Sequence, residues 1–492
     1  MAFDFNISCS NTLTDSLFEK LFQLQCHFTR SPQKDNIDLD DVKLRLQDSI
    51  SLSVKYKATS YNHLAFVNCL QGNYEEAIQN LKEAEKIRRE NHKDEFERRS
   101  IITFGNFAWV HYHMGQLTEA QSYLNKLEMI CKPLTDGPRY TAMIPEVYGE
   151  KGWSLLSSAA EYYEEAKECF EKALEEDPDN MEWIMGYATA LFRLASFSGI
   201  PENQEQSESV RQLRRVLEFD PDNSVAMVLL ALKLQEFSEE QEANELVEQA
   251  LQKTPNLPYV LCYAAKFYRK GGAVGKAIEL LKRALERTPN SGFLHHQLGV
   301  CYRINLFLLI KNPGCRDPQN VAFYRKAELI RLCEHHLERA VEQKQSFIFA
   351  KLDFAIVCLM IGESHRAEEI YNSLLRLENI GLDNKQRLHR HCGSFELLHK
   401  NSESNAIDHF LKGLKLRHGT KDWKICYNNL RGIARKQIVR NASNSQAFGV
   451  LGSVHQLAGE KDEAIECFEK ALEFDPDNEE YLSALRELRI SI

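Results

Sequence analysis

The apolar residues of the chain recur at helical spacing, and the alternation of apolar and polar residues that is typical of strands is essentially missing. The pattern also repeats itself, in units of about 34 residues that each predict two helices joined by a short turn. A single hairpin of this kind cannot bury its apolar face alone, so neighbouring units must stack. The pattern therefore predicts an all-α array of stacked helical hairpins.

The stretch 259–303 shows the repeated unit most completely. Ala265, Ala277 and Ala284 are small residues at the points where two helices approach closely, and the bulky Leu281 lies between the last two. Glycines follow the first helix and a proline follows the second, which completes the tetratricopeptide pattern. We therefore expect a tetratricopeptide-repeat superhelix, an α-solenoid.

The repeat signature gives about nine units and divides the chain into four segments. Residues 1–55 predict leading helices that cap the array, with Val42, Leu46 and Ile50 on one apolar face. Residues 56–200 hold the N-terminal units, 201–345 the central units and 346–492 the C-terminal units. Two polar stretches that contain Gly and Pro, 196–209 and 311–320, predict loops, and the second is an insertion.

Aromatic and basic side chains recur at the positions of the first helix that face the groove of a solenoid. In the unit above these positions hold Tyr259, Cys262, Lys266 and Arg269, and the following units place Phe293, His296, Arg303 and Phe349 at corresponding positions. Basic groups there can neutralise the phosphates of a strand, and aromatic rings can stack on its bases. The alternative is a solvated helix face with ordinary aromatic packing.

Three further residues each allow two interpretations. Trp153 occupies a position that usually packs between helices, but it could also stack on a base or a cap. Arg193 at the groove rim could hold phosphate oxygens or form a surface ion pair. His296 is suited to a ribose hydroxyl or a base edge, although helix histidines more often form hydrogen bonds within the protein.

Composition and motifs limit the classes of function. The net charge of −10 excludes a basic field over the whole protein, so a nucleic-acid site must be a local basic pocket. The 13 cysteines show no paired CxxC spacing and predict reduced thiols in a cytosolic protein. The first residues do not resemble a signal peptide, and the apolar stretches are too short for a membrane span, so we expect neither. His335 with His336, and His389 with His391, lack further ligands at convincing spacing, so we expect no metal. Catalytic and cofactor motifs are missing as well, so we expect no cofactor and no enzyme activity.

Several stretches closely resemble the interferon-induced proteins with tetratricopeptide repeats. They include YVLCYAAKFYRK at 259–270, FLHHQLGVCY at 293–302, GNFAWVHYHMGQLTEAQSYL at 105–124 and the ending EEYLSALRELRISI. The resemblance covers nearly the whole chain. It implies a cytoplasmic, interferon-induced antiviral effector that binds single-stranded RNA by its 5′ end, a triphosphate or a cap, and sequesters the RNA without cleaving it. It also implies that the superhelix has a central positively charged groove or tunnel, which the RNA end enters.

The resemblance also implies roles for individual residues. The residues that match the family's pocket for the RNA 5′ end are Arg45, Trp153, Tyr163 and Arg193. The residues that match positions along the RNA strand are Tyr259, Tyr263, Lys266, Arg269, Phe293, His296, Gln297, Lys311, Phe347 and Phe349. The chain departs from the family pattern at Ser157 for a usual lysine, Ser49 for a glutamine, Cys262 for an arginine and Val225 for an aromatic residue.

The lost cation and donor groups imply weaker binding of a triphosphate. A second interpretation is a scaffold that acts through related family members or other host proteins, with weak or no selectivity for RNA ends. An enzyme is the third, and it is disfavoured because repeats occupy nearly the whole length.

Overall fold

The computed structural model describes residues 12–30, 39–52, 57–134, 139–158, 162–198, 207–311, 319–344, 347–377 and 380–490, and every element in these ranges is helical. The first thirteen helices are α1 Thr12–Leu21, α2 His27–Arg30, α3 Leu39–Leu52, α4 Lys57–Leu70, α5 Tyr74–Asn91, α6 Phe96–Arg99, α7 Ile101–His113, α8 Leu117–Cys131, α9 Pro145–Ser158, α10 Tyr163–Glu176, α11 Met181–Ser198, α12 Glu208–Phe219 and α13 Ser224–Glu236. The others are α14 Glu240–Lys253, α15 Pro258–Lys270, α16 Val274–Arg287, α17 Gly292–Lys311, α18 Gln319–Gln343, α19 Ile348–Ile361, α20 Ser364–Leu375, α21 Leu382–Leu398, α22 Glu403–Leu414, α23 Lys421–Arg440, α24 Ser445–Ala458, α25 Lys461–Phe474 and α26 Glu479–Ile490.

The chain forms two compact units. The first comprises Met1–Leu194 and Asn203–Leu294, and the second comprises Ala195–Glu202 and His295–Ile492. The division falls inside helix α17, and the four-segment grouping of the repeats stays a prediction. In the described ranges, no helix is both long enough and apolar enough to cross a membrane.

Most hairpins bury a small residue of the first helix and a large residue of the second, sixteen positions apart. Such pairs, each at most 3% exposed, are Ala65 with Leu81, Ala108 with Leu124, Ala231 with Val247, Ala265 with Leu281 and Ala355 with Tyr371. In the last hairpin the pair is Gly452 with Phe468, and a Cβ atom at Gly452 would lie 2.8 Å from the phenylalanine ring. The small residue therefore makes room for the large one where the two helices cross.

The hairpin α21–α22 is one that the repeat signature did not indicate. Its small residue is Gly393, and a Cβ atom there would lie 2.7 Å from the ring of Phe410, which comes seventeen positions later. The same interlock is therefore present, but a one-residue longer spacing hides it from a search for the 34-residue pattern.

The predicted helix breaks are confirmed at the turns. Helix α15 ends at Lys270, and Gly272 between α15 and α16 has a φ of +82°, a left-handed conformation that favours glycine. Helices extend into both ends of each predicted loop, 196–209 and 311–320. Lys311 is the last residue of α17 and Gln319 is the first of α18, while residues 312–318 lie outside the described ranges. The other polar stretch likewise begins and ends in helix, with 199–206 outside the described ranges.

The predicted apolar face of the leading segment is confirmed. Helix α3 buries Val42 and Leu46, with Ile50 partly covered, against Phe66 and Val67 of α4. The leading helix therefore joins the core of the first hairpin through the same kind of apolar stripe that joins the hairpins to one another.

Replacing Phe468 by Ala is expected to destabilise the last hairpin by about 3–5 kcal/mol, because the ring is 1% exposed and its removal leaves a cavity beside Gly452. Hydrogen exchange of α24–α26 measures this loss. Phe474→Ala is the matched control, since that ring on the same helix is 43% exposed and costs less. Because hairpin arrays couple mainly to neighbours, exchange that rose equally in every hairpin would contradict the expectation.

Candidate nucleic-acid interface

Two arginines of the predicted 5′-end pocket meet the C-terminal turn of α9. Arg193 Nη1 donates to the carbonyl oxygen of Leu156 at 2.6 Å, and Arg45 Nη2 donates to that of Ser158 at 3.1 Å. The last carbonyl groups of a helix lack partners within the helix, so these contacts cap α9. Ser157 lies between the two capped residues, and its hydroxyl donates to the Trp153 carbonyl at 2.9 Å.

Tyrosine rings surround the Arg193 guanidinium. It lies 5.2 Å from the centre of the Tyr163 ring and forms a hydrogen bond with Tyr259, which in turn stacks on Tyr263 with ring centres 4.5 Å apart. Burial opposes the charge of Arg193, but the three tyrosines together favour it more strongly, and its pKa is raised above the ordinary value. The arginine therefore keeps its positive charge in a half-buried position.

Lys266 continues this arrangement along α15. Its Nζ atom lies 5.8 Å from the centre of the Phe192 ring and 5.9 Å from that of Tyr263. Burial lowers the pKa of Lys266, and the positive charges of Lys270 and Arg269 lower it further. An anion placed here would relieve that repulsion.

We call this group the first-unit surface; it comprises Tyr163, Phe192, Arg193, Tyr259, Tyr263, Lys266 and Arg269. Cys262, which was expected to face the groove, is only 7% exposed, and its thiol interacts electrostatically with Lys266 and Tyr263. The other departures from the family pattern are also placed: Ser49 shares a hydrogen bond of 3.3 Å with Ser60, and Val225 is half-buried in α13.

Trp153 is half-buried and meets the ring of Phe170 edge-on, with the ring centres 5.4 Å apart. This contact supports the packing interpretation for one edge of the indole and leaves part of the ring accessible. Trp153 therefore combines a structural contact with an exposed portion beside Ser157.

A carboxylate organises the predicted strand residues of the second unit. His296 Nε2 lies 2.7 Å from Asp353 Oδ2, and Arg303 Nη2 lies 3.3 Å from Asp353 Oδ1. Burial opposes ionisation of Asp353, but the hydrogen bond from His296 and the charge of Arg303 outweigh it, and the pKa of Asp353 is lowered. Arg303 was expected to be available for phosphates, and the structure instead places it in an ion pair. The sequence analysis missed Asp353, which comes one helical turn after Phe349.

Aromatic rings lie beside this carboxylate. Phe347 contacts the His296 ring with centres 4.8 Å apart, and Phe349 lies 6.3 Å from Phe347. Gln297 Nε2 lies 3.3 Å from His296 Nδ1. The structure therefore brings four of the predicted strand residues together: His296, Gln297, Phe347 and Phe349.

Two predicted strand residues lie at the ends of α17. Phe293, in the first turn, is 50% exposed, and Lys311 is the last residue, with its Nζ atom 5.8 Å from the Phe307 ring. Lys311 lies eight residues after Arg303, which corresponds to about 12 Å along the helix. It is therefore the least integrated of the predicted strand residues.

A buried polar network holds α9 in place beneath the pocket. Arg88 of α5 and Glu150 of α9 form an ion pair that is nearly inaccessible to solvent. Asn62 of α4 donates to Glu150 Oε1 at 2.6 Å and to Thr103 Oγ1 at 2.9 Å. Because a buried charge is costly without its partners, this network fixes Glu150, and with it the helix that carries Trp153 and Ser157.

The histidines considered as metal ligands pair with other histidines. His336 Nδ1 lies 2.9 Å from His295 Nδ1, and His389 Nδ1 lies 3.1 Å from His409 Nδ1. Over the described ranges, no group of three or more His, Cys, Asp or Glu side chains is arranged to hold a metal ion.

His27 of α2 joins the buried network beneath the pocket through Asn106, whose side-chain amide lies 3.0 Å from His27 Nδ1. Burial lowers the pKa of His27 from 6.5 to about 3. The unfolded chain therefore takes up a proton near pH 6.5 while the folded chain keeps this imidazole neutral. The contribution of His27 to the free energy of unfolding is fully present above pH 6.5. It falls by about 1.4 kcal/mol per pH unit as the pH drops from 6.5 towards 3.

We expect His27→Asn to reduce this pH dependence, because its Oδ1 atom can still accept from Asn106 but does not titrate in this range. Urea unfolding at pH 7, 6 and 5 measures the slope. His365→Asn is the matched control, since His365 lies on the surface with its side chain 87% exposed. Equal slopes for His27→Asn and the unmodified protein would show that His27 does not control acid sensitivity.

Comparisons with known proteins agree with this architecture. The tetratricopeptide-repeat family matches residues 56–130, 145–180 and 445–478. The human antiviral innate immune response effector IFIT1 is 40% identical over 462 residues, with 94% of this chain and 96% of that protein covered. Human interferon-induced protein with tetratricopeptide repeats 2 is 35% identical, with 93% and 96% covered.

Solved structures give the same picture. The human IFIT1 dimer with m7Gppp-AAAA has a TM-score of 0.82 at 39% identity and covers 94% of this chain and 100% of that one. The human IFIT1 dimer with PPP-AAAA has a TM-score of 0.78 at 38% identity, with the same coverage. The predicted all-α tetratricopeptide-repeat superhelix is confirmed, and the chain belongs to the family of interferon-induced proteins with tetratricopeptide repeats.

Proposed function

We propose that the protein is an interferon-induced antiviral effector that binds single-stranded RNA by its 5′ end and sequesters it in the cytoplasm without catalysis. The observation that carries the proposal is the first-unit surface, in which Arg193 and Lys266 lie beside the stacked rings of Tyr259 and Tyr263. Relatives with the same fold were solved with capped and triphosphate oligonucleotides. The free thiols of the described cysteines suit a reducing compartment.

The geometry explains how the pocket can hold a polyphosphate. A guanidinium carries five N–H donors, and the contact of Arg193 with the Leu156 carbonyl uses one of them. Donors of Arg193 beyond its bonds to Leu156 and Tyr259 can turn towards phosphate oxygens, while Arg45 adds a second positive charge at the same turn of α9. Such preorganised charged donors offset the cost of removing a phosphate from water.

The pocket has fewer charged groups than the family pattern. Ser157 takes the place of a lysine between the two arginine-capped residues, and it brings a hydroxyl but no charge. Its hydroxyl already donates to Trp153. Stacking on Trp153 does not need a cation at position 157, so we propose that this protein discriminates less between triphosphate and hydroxyl ends than a relative with the lysine.

A scaffold that acts through related family members is the second candidate. The dimers formed by human IFIT1 favour it, and so does the carboxylate Asp353, which partly neutralises the strand residues of the second unit. The two candidates differ in whether the purified chain binds RNA. A chain that binds neither triphosphate, capped nor hydroxyl RNA would leave the scaffold as the function.

Ser157→Lys is expected to raise the preference for triphosphate over hydroxyl RNA by about 1.5–3 kcal/mol, provided that the new ammonium group makes a charged hydrogen bond. The measurement is the ratio of dissociation constants for the two ends, at one stated salt concentration. Ser157→Gln is the matched control, because it adds length and a donor without charge. A wild-type protein that already discriminates strongly and is unchanged by lysine would show that another cation fills this place.

Arg193→Ala is expected to abolish the discrimination that exists. Because Arg193 also caps α9, Arg193→Lys keeps the positive charge and separates the loss of charge from the loss of the guanidinium. Hydroxyl RNA reports on the strand contacts in each variant. If Arg193→Ala bound hydroxyl and triphosphate RNA with the original ratio, Arg193 would not contact the terminal phosphates.

Removing Lys266 and Arg269 together is expected to weaken binding of all single-stranded RNA sequences and to lower the salt slope by roughly 0.7 per charge. The measurement is a salt titration of Lys266→Ala with Arg269→Ala. The matched control removes Lys282 and Arg287, two exposed cations on the second helix of the same hairpin. A slope that stays the same in the first variant would exclude RNA from the first-unit surface.

A further inference from the structure

The second unit carries a chain of contacts that extends beyond the predicted strand residues. The Arg387 guanidinium lies 4.4 Å from the centre of the Phe349 ring. Arg387 Nε lies 3.0 Å from Asp422 Oδ2, and Arg390 Nε lies 2.6 Å from Asp422 Oδ1. Arg390 also contacts His391, whose ring interacts electrostatically with Asp353. The contacts therefore return to the carboxylate that holds His296.

These side chains come from four helices. Phe349 and Asp353 belong to α19, Arg387 and Arg390 to α21, and Asp422 to α23, while His296 belongs to α17. The side chains of Arg387 and Arg390 are 30% and 20% exposed, so a ligand can reach them. We call Phe349, Arg387, Arg390 and Asp422 the second-unit surface.

Charge and shape limit what this surface can bind. The three guanidinium groups of Arg303, Arg387 and Arg390 face the two carboxylates of Asp353 and Asp422, which leaves one positive charge in a chain with a net charge of −10. Burial and the charge of Arg390 lower the pKa of His391 to about 3, so His391 adds no charge at neutral pH. The surface is therefore weakly cationic and rich in planar groups.

An arginine that lies against an aromatic ring is a platform for a nucleobase. Phe349 supports one face of the Arg387 guanidinium, Asp422 fixes its edge, and a base can stack on a guanidinium plane held in this way. Arg390, held by the other oxygen of the same carboxylate, is placed to donate to a phosphate. An acidic peptide would use the charges but has no need of the stacked ring.

We propose that the second-unit surface binds nucleotides of a single-stranded RNA that lie beyond the first four from its 5′ end. The inference rests on the proposed function and adds to it a longer footprint. Affinity is then expected to increase with RNA length, because bases stack on Phe349 and Arg387 and phosphates meet Arg390. The modest net charge predicts a contribution that depends on stacking as well as on salt.

The experiment compares 5′-triphosphate RNAs of four and twelve nucleotides with identical first four residues. The wild-type chain is expected to bind the longer RNA more tightly. Arg387→Ala with Arg390→Ala is expected to weaken binding of the longer RNA roughly tenfold, through loss of stacking and of a phosphate contact, and to leave the shorter RNA unchanged. The matched control is Arg417→Ala, which removes an exposed arginine paired with Asp383.

Asp422→Asn tests the surface in the opposite direction and keeps both arginines. The amide oxygen of the new Asn can still accept a hydrogen bond from one of the two arginines, so the platform is kept in part. Loss of the negative charge is expected to strengthen binding of the longer RNA several-fold and to steepen its salt dependence, because that charge no longer opposes the phosphates. This variant also tests the surface if the double arginine variant does not fold, since leaving Asp422 without its partners can destabilise α23. Thermal unfolding of each variant identifies such a loss of structure.

The outcomes separate the inference from the proposed function. Equal affinity for the two lengths in the wild type, or equal weakening of both lengths by the arginine variant, overturns the inference while 5′-end binding stands. Failure to bind either RNA overturns the proposed function itself. If an acidic peptide such as polyglutamate bound the surface and RNA length had no effect, the ligand would be a protein segment and the inference would be wrong.

Discussion

The crossing of the two helices in each hairpin is the constraint on which the rest of the structure depends. A small residue of the first helix and a large residue of the second are buried together, from Ala65 with Leu81 to Gly452 with Phe468. Because the crossing repeats, the same positions of successive first helices recur on the same side within a unit. Side chains far apart in sequence, such as His296 and Asp353, therefore meet.

The cations of the candidate site already have contacts within the fold. Arg193 and Arg45 cap the carbonyl groups at the end of α9, and Arg303 pairs with a half-buried carboxylate. A side chain held by such contacts loses little further conformational freedom when a phosphate arrives, so part of the ordering cost is met during folding. The same contacts mean that an alanine substitution removes structure and charge together, which is why charge-retaining variants are the informative ones.

The sequence predicts the hairpins and the groove-facing positions because both depend on local spacing. Ala265 and Leu281 mark the crossing, Gly272 marks the turn, and Tyr259 and Lys266 follow from helical periodicity. It does not predict that Arg303 meets Asp353 or that Arg387 meets Asp422, because those partners lie on different hairpins and depend on how the repeats stack. It also missed α21–α22, where the large residue comes one position later than usual.

The two surfaces differ in how their positive charges are compensated. Burial lowers the pKa of Lys266, and the positive charges of Lys270 and Arg269 lower it further. The negative charge of Glu236 opposes them more weakly. In the second unit Arg303 has a carboxylate partner in Asp353, and Arg387 and Arg390 share Asp422. Uncompensated charge favours the densest anion available, which in an RNA is a 5′ polyphosphate, whereas compensated arginines beside aromatic rings favour bases and single phosphates. The distribution of carboxylates therefore leaves the first-unit surface with less compensated positive charge than the second-unit surface.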